Sequence, residues 1–288
     1  SSDNGGITLN GAITTDGAVT IDGPVTLATG AVSVTTANDA ISFNHSIDGT
    51  QSLTLESGSA AIILDGAIGA DAILTGLSVN ATDGSTGTIE IANIGDADAE
   101  GVNTGAISIG NANTATLTLD GTIYKTDVAQ TYTAATGQNI DITAAATFTT
   151  TNDAVAFATS GVDLANNGTT TINTGTGVGA VTFGGAIETN GGSNDILTIT
   201  SGGGAVTSVP QVLGTQIARI EDYGNSNNPE SYAKWGADKF FTDAKRGAVL
   251  QLKGSSAQNE QLQVISETGM RSYFRDLFIN NFNTFKLG

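Results

Sequence analysis

Ile7-Thr8-Leu9-Asn10-Gly11-Ala12-Ile13 joins a β-rich triplet to a turn pair, a small residue and a β-branched residue. The phrase returns as Val19-Thr20-Ile21-Asp22-Gly23-Pro24-Val25 and Ile62-Ile63-Leu64-Asp65-Gly66-Ala67-Ile68. It returns again as Leu117-Thr118-Leu119-Asp120-Gly121-Thr122-Ile123 and Val181-Thr182-Phe183-Gly184-Gly185-Ala186-Ile187. Ile, Val and Thr suit a pleated, half-buried strand, and Asn, Asp and Gly supply the positive φ of tight turns. Each copy reads as strand, turn, strand. A chain of such copies is quasi-one-dimensional, which predicts structural or adhesive work rather than chemistry.

Around these copies, residues 7–208 alternate with period two in short stretches such as Val32-Ser33-Val34, Leu53-Thr54-Leu55, Ile89-Glu90-Ile91 and Leu197-Thr198-Ile199. Turn pairs recur between them, and no helical period intervenes. The expectation is a mainly β chain. Starts at 7, 19, 41 and 62 suggest coils of about 20 residues, as in a β-solenoid with aliphatic residues stacked inward. The less regular later intervals fit two tandem β-sandwiches as well. A longer echo is present: Thr35 to Phe43 matches Thr149 to Phe157, 114 residues later, which suggests a duplicated unit of about 115 residues.

Composition narrows the function classes. Gly is abundant (38), Pro is rare (3), and 13% of residues are charged, about half the usual share. The 39% of apolar residues alternate with Thr, Ser and Asn, which argues against disorder. Residues 1–208 hold 20 Asp and Glu against one Lys, a net −19, and residues 209–288 hold 9 Lys and Arg against 8 acids, a net +1. An acidic body of this kind repels nucleic acid and anionic membranes, so neither is expected as a partner. Without Cys there are no disulfides or thiolate metal sites. No apolar run is long enough for a membrane span. The chain starts at Ser1 without Met, so it reads as processed or as a piece of a longer chain.

The texture changes after Ser208, which divides the sequence into a β-repeat body, 1–208, and a second part, 209–288. Trp235, six of the ten Phe and nearly all the positive charge fall in the second part. Val212 to Ile220 reads as a strand, and Asn225 to Pro229 as a loop. Lys239 to Thr242 and Ala248 to Leu252 flank Asp243-Ala244-Lys245-Arg246-Gly247, a hairpin loop with Gly where positive φ is needed. Leu262 to Ile265 reads as a further strand. Met270, Tyr273, Phe274, Leu277 and Phe278 then sit at helical spacing, one apolar face of an amphipathic helix from about Thr268 to Asn280. Ser266 or Thr268 is a candidate N-cap. The helix face must bury against local strands or a neighbouring subunit, and it is the candidate assembly surface. The second part is thus expected to be a small α+β module.

Two resemblances follow from these residues. The body, through the copies of the phrase at Phe43, Leu64 and Phe183, resembles strand-repeat regions of filamentous-haemagglutinin-type adhesins. The second part carries Asn228-Pro229-Glu230-Ser231, then the run Lys239 to Val249, then the run Ile265 to Asp276. In that order these resemble a module of large tail-associated virion proteins of tailed bacteriophages. The resemblance implies a propeller-like β-blade followed by an aromatic helix, copies of the chain and other virion proteins as partners, and a place in the virion. It implies no activity.

Candidate chemistry is sparse. His45 is the only His, so no multi-His metal site can form within one chain. Asp96-Ala97-Asp98-Ala99-Glu100-Gly101 resembles the first half of a calcium loop, with Asp96, Asp98 and Glu100 as weak Ca²⁺ candidates. Position twelve is Ile107 rather than a bidentate Glu. Gly191 to Leu197 comes near a calcium-binding nonapeptide but is unrepeated. Lys234, Lys239, Lys245, Arg246 and Lys253 lie among Tyr232, Trp235 and Phe240, diluted by Asp238 and Asp243. The expectation is a non-enzymatic, homo-oligomeric structural component of a tailed-phage virion without a required cofactor. The alternatives are a secreted adhesin or matrix filament, outside the cell or on its surface, and a glycan-degrading tailspike with a carboxylate pair. A host-surface glycan would be a partner of a fibre or spike.

Overall fold

The computed structural model describes residues 5–82, 84–164, 168–189, 195–208, 231–236, 238–243, 246–253, 261–267 and 271–280. The chain divides into two compact units, Ser1–Gln211 and Val212–Gly288.

The first unit is a β-solenoid, not a pair of sandwiches. Its strands are short, three to five residues, and every pair among the described ones is parallel. Successive strands visit three faces in rotation. The first face runs from Ile7–Leu9 through Val25–Leu27 and Ile47–Gly49. It thins to single bridging residues at Ile68 and Ile94, and resumes at Ile123–Thr126, Thr147–Thr150, Thr169–Asn173 and Ile196–Thr200. The second face is a nine-stranded sheet from Ile13–Thr15 to Val206–Ser208, and the third an eight-stranded sheet from Val19–Ile21 to Ile187–Thr189. The unit thus makes about eight turns. At about 4.8 Å per strand, the second face extends about 40 Å.

Register explains the period-two alternation. Ile13 pairs with Val34, Val32 with Leu53, Leu53 with Leu77, and Leu77 with Ile107, so apolar residues stack on apolar residues inside the coil. Val34, Ile41, Phe43, Leu55, Ile62, Ile91, Ile109, Leu119 and Ile140 are completely buried. Toward the C-terminal turns the core becomes aromatic. Tyr124 stacks on Phe148 at 4.7 Å, Tyr132 on Phe157 at 5.5 Å, and Phe157 on Phe183 at 5.4 Å. Edge-to-face contacts join the columns at Tyr132–Phe148 and Phe148–Phe157.

The turn pair of the opening phrase is a corner between two faces, not a hairpin. Ile7–Leu9 lies on the first face and Ile13–Thr15 on the second, and neither pairs with the other. Corners are closed by hydroxyls at strand ends. Thr36 Oγ1 donates to the Asp39 carbonyl, Ser57 Oγ to Ala60 at 2.7 Å, and Thr174 Oγ1 to Gly179 at 2.7 Å. The two echoing segments build the same corner: Asn38 and Asn152 both take positive φ, and both side-chain carbonyls accept an amide of the next turn, from Ser59 and Gly177. Thr35 and Ile41 lie on the second and third faces, whereas Thr149 and Val155 lie on the first and second. The echo is therefore a shared corner, rotated by one face.

The second unit holds a four-stranded antiparallel sheet in chain order, Ala233–Trp235, Asp238–Asp243, Ala248–Lys253 and Gln261–Val264. A single 3₁₀ turn, Ile265–Glu267, leads toward the helix Arg271–Asn280. The expected strand at Val212 to Ile220, the loop Asn225 to Pro229 and the helix start at Thr268 lie outside the described residues. The hairpin is present, with Gly247 at φ +65° as expected. A Cβ there would come within 2.7 Å of Arg275 Cα, so the helix also requires Gly at this position.

Candidate functional site

The acidic loop comes first, because its spacing suggested calcium. Residues 95–101 leave the coil between Ile94 and Val102, which bridge to neighbouring turns. Gly95 takes φ +74°, and a Cβ on Gly101 would come within 2.4 Å of the Gly95 nitrogen, so glycine at both ends lets the loop close on itself. Asp96 Oδ1 accepts the amides of Asp98 at 2.8 Å and Ala99 at 2.6 Å. Lys125 Nζ donates to the Ala97 carbonyl at 3.2 Å, and the Gly101 amide to the Lys125 carbonyl at 2.8 Å. The Ala99 and Asp98 amides, and then Lys125, hold the Asp96 carboxyl below the usual Asp range. Asp98 is exposed and Glu100 half-buried. Asp96 thus acts as the loop's own turn-former. Among the described residues no three His, Asp or Glu side chains are arranged to hold a metal ion. The stretch Gly191 to Asn194 lies outside the described residues.

His45 sits exposed at the corner between Ile41–Phe43 and Ile47–Gly49. Beside it Asn44 Nδ2 donates to Asp22 Oδ1 at 2.5 Å.

The third face carries a feature that reading along the chain missed. Away from the core it aligns Glu90 with Thr118, Thr118 with Asp141, Asp141 with Asp163, and Asp163 with Glu188; Glu188 is exposed, Glu90 and Asp141 are half-buried, and Asp163 is buried between its neighbours. Three acids therefore stack on consecutive turns, about 4.8 Å apart along the ladder. Burial, and then Asp163, push the Asp141 carboxyl up. Burial, and then Asp120 and Asp65, do the same for Glu90. Successive residues of this ladder are 22 to 28 apart in sequence, so only the turn lengths could have shown the stack.

In the second unit the resemblance-bearing residues build the fold. Ser231 Oγ accepts the Thr242 amide at 3.0 Å. Asp243, fully buried, accepts the Arg246 amide at 3.1 Å and its guanidinium at 3.0 Å, which ties down the hairpin loop. Ser266 Oγ accepts the Val249 amide at 3.0 Å, which pins the 3₁₀ turn to the sheet. Of the candidate assembly residues, Tyr273 is 58% exposed and Leu277 is half-buried. Phe274 and Phe278 belong to the helix, their side chains lying outside the described set, and Met270 lies outside it altogether. Tyr232 and Trp235 are also exposed, at 52% and 81%. Among the described residues no helix is long and apolar enough to cross a membrane.

Comparison of the chain with known protein families, with curated proteins and with solved structures finds no match.

Proposed function

We propose that the protein is a non-enzymatic structural component of a tailed-phage virion, tail-associated or fibre-like, working as a homo-oligomer. The observation that carries this reading is the second unit. Its runs Lys239 to Val249 and Ile265 to Asp276 form a hairpin and a turn leading to a helix that packs on the strand Ala248–Lys253. That is the blade-and-helix order the resemblance implies. The solenoid supports it from the other side, because a continuous ladder with an interlocked core suits a stiff spacer. The partners are copies of the chain and neighbouring virion proteins, with a host-surface glycan as a target for a fibre. Sedimentation equilibrium of the full chain tests the assembly. The expected result is a discrete multiple of the 28.9 kDa chain mass. A well-folded 28.9 kDa species at every concentration would count against the reading.

A secreted adhesin or matrix filament is the second reading, favoured by the coil of strand repeats alone. It predicts that the chain binds whole bacterial or host cells as a monomer. The virion reading predicts that it co-purifies with particles.

A further inference from the structure

The three faces of the solenoid are chemically unequal. The third face carries the acid stack Asp141, Asp163 and Glu188 together with Glu90. The first face carries Asp48 outward and is interrupted by the acidic loop 95–101. The second face is different. Along its nine strands one outward column runs Ser33, Thr54, Ser78, Ser108, Thr131, Ala156, Thr182 and Thr207, in unbroken register. The only charge on its strands is Glu56, and that carboxylate is held by the loop beside it, accepting from Thr82 Oγ1 at 2.8 Å and Ser85 Oγ at 3.1 Å. A shallow groove crosses this face where Gly76, Ala81 and Ala106 present little side chain beside Thr54, Ser78 and Ser108.

We infer that the second face is the surface through which two copies of this chain pair. This rests on the homo-oligomeric part of the proposed function and adds where the contact lies. Each body carries about −19, so two copies that meet through the third face confront stacked carboxylates, and like charges across an interface cost several kcal/mol. The first face is free of acids on its strands from Ile123 to Thr200 but is split into sheets of three and four strands, so the second face is the one long unbroken sheet on which bodies of this charge meet without that opposition. Small side chains let two sheets approach closely, with the methyls of Thr and Ala seated in the groove of the partner copy. The area is adequate for a reversible pair. Nine strands about 4.8 Å apart, mostly three to five residues wide at about 3.3 Å each, make a face of about 400–650 Å². Two faces in contact remove about 800–1,300 Å², which straddles the roughly 1,200 Å² lower bound of stable interfaces. The pair therefore forms and dissociates with concentration.

A two-fold pair places the same residue of both copies at its centre. The central strand is Ile107–Ile109, and its outward residue is Ser108. The chain has no Cys, so a single introduced thiol reports alone. In the full chain, Ser108→Cys is expected to give a disulfide-linked dimer on mild oxidation, and Thr149→Cys on the first face is not. Ser108→Glu is expected to weaken the concentration-dependent dimer seen by sedimentation velocity at least about tenfold, with the circular dichroism of the coil unchanged. Thr149→Glu, beside Lys125 on the neighbouring turn, is expected to leave it intact. A dimer that survives Ser108→Glu, or a Ser108→Cys chain that does not cross-link while the protein oligomerises, overturns this inference and leaves the homo-oligomer standing. A monomer at every concentration overturns both.

Discussion

Tyr124 shows how much one side chain does in a coil this narrow. Its hydroxyl accepts the Gly121 amide at 2.9 Å and donates to the Ile91 carbonyl at 3.0 Å, joining a corner to the preceding turn. Burial pushes the hydroxyls of Tyr124 and Tyr132 well up, so both stay protonated donors. Tyr124→Phe keeps the stacking on Phe148 but strands the buried Gly121 amide, while the Ile91 carbonyl keeps the Asp120 amide at 3.2 Å. It is expected to lower unfolding free energy by about 1–3 kcal/mol. Urea denaturation followed by circular dichroism measures this, and a variant as stable as the parent would show the hydroxyl to be dispensable.

Sequence was a poor guide to polar residues. Asp96, Asp98 and Glu100 have the spacing of calcium ligands, but a carboxylate can satisfy its own loop at the same spacing, as Asp96 does. Ser266 has the chemistry of an N-cap and accepts an amide from the strand Ala248–Lys253. Asp96 finds its partners within its own loop and Ser266 finds one across the sheet, and side-chain type alone does not encode which.

At the scale of strands and faces, alternation was legible because each strand buries one side. Which face a strand joins was not. An Asp-Gly pair closes a hairpin or turns a corner equally well. Turn length also varies, from 18 residues between Ile7 and Val25 to 30 between Leu77 and Ile107, because loops such as 95–101 are inserted without breaking the ladder of the second face. This irregularity left solenoid and sandwich balanced, and it hid the acid stack of the third face. The stack makes a signed prediction. Asp141 and Glu90 have folded-state pKa values above their unfolded ones, so their ionisation at neutral pH destabilises the coil. The strain is relieved as pH falls through the raised values toward the ordinary range near pH 4. Thermal melting is therefore expected to rise as pH falls from neutral toward the ordinary carboxylate range, and Asp141→Asn is expected to raise it at neutral pH and flatten the pH dependence. Asp96 works in the opposite direction, its contribution being lost only as pH falls below its lowered value. A melting temperature that falls steadily from neutral pH toward the ordinary carboxylate range would show the stack to be electrostatically silent.

At the scale of the molecule, the opening phrase encodes a coil whose turns share one core. The chain after Ser208 encodes an antiparallel sheet with a helix packed on its third strand. The shift in charge and aromatic content at that point was visible in the sequence, because a coil this narrow is filled mostly by Ile, Val and Leu with one short aromatic column, whereas the second part gathers Trp235, six of the ten Phe and nearly all the positive charge. The described residues from 5 to 208 form one parallel coil, with an unbroken nine-strand ladder along its second face. Spin labels on Cys substitutions along the second face test it most directly, with unlabelled chain in excess to suppress distances between copies. From Thr54 to Ala156, Thr182 and Thr207 the register counts four, five and six strand steps. The account predicts backbone separations of about 19, 24 and 29 Å, rising by about 4.8 Å per turn. Separations that fail to rise in equal steps, or that fall between Ala156 and Thr207, would contradict a continuous coil.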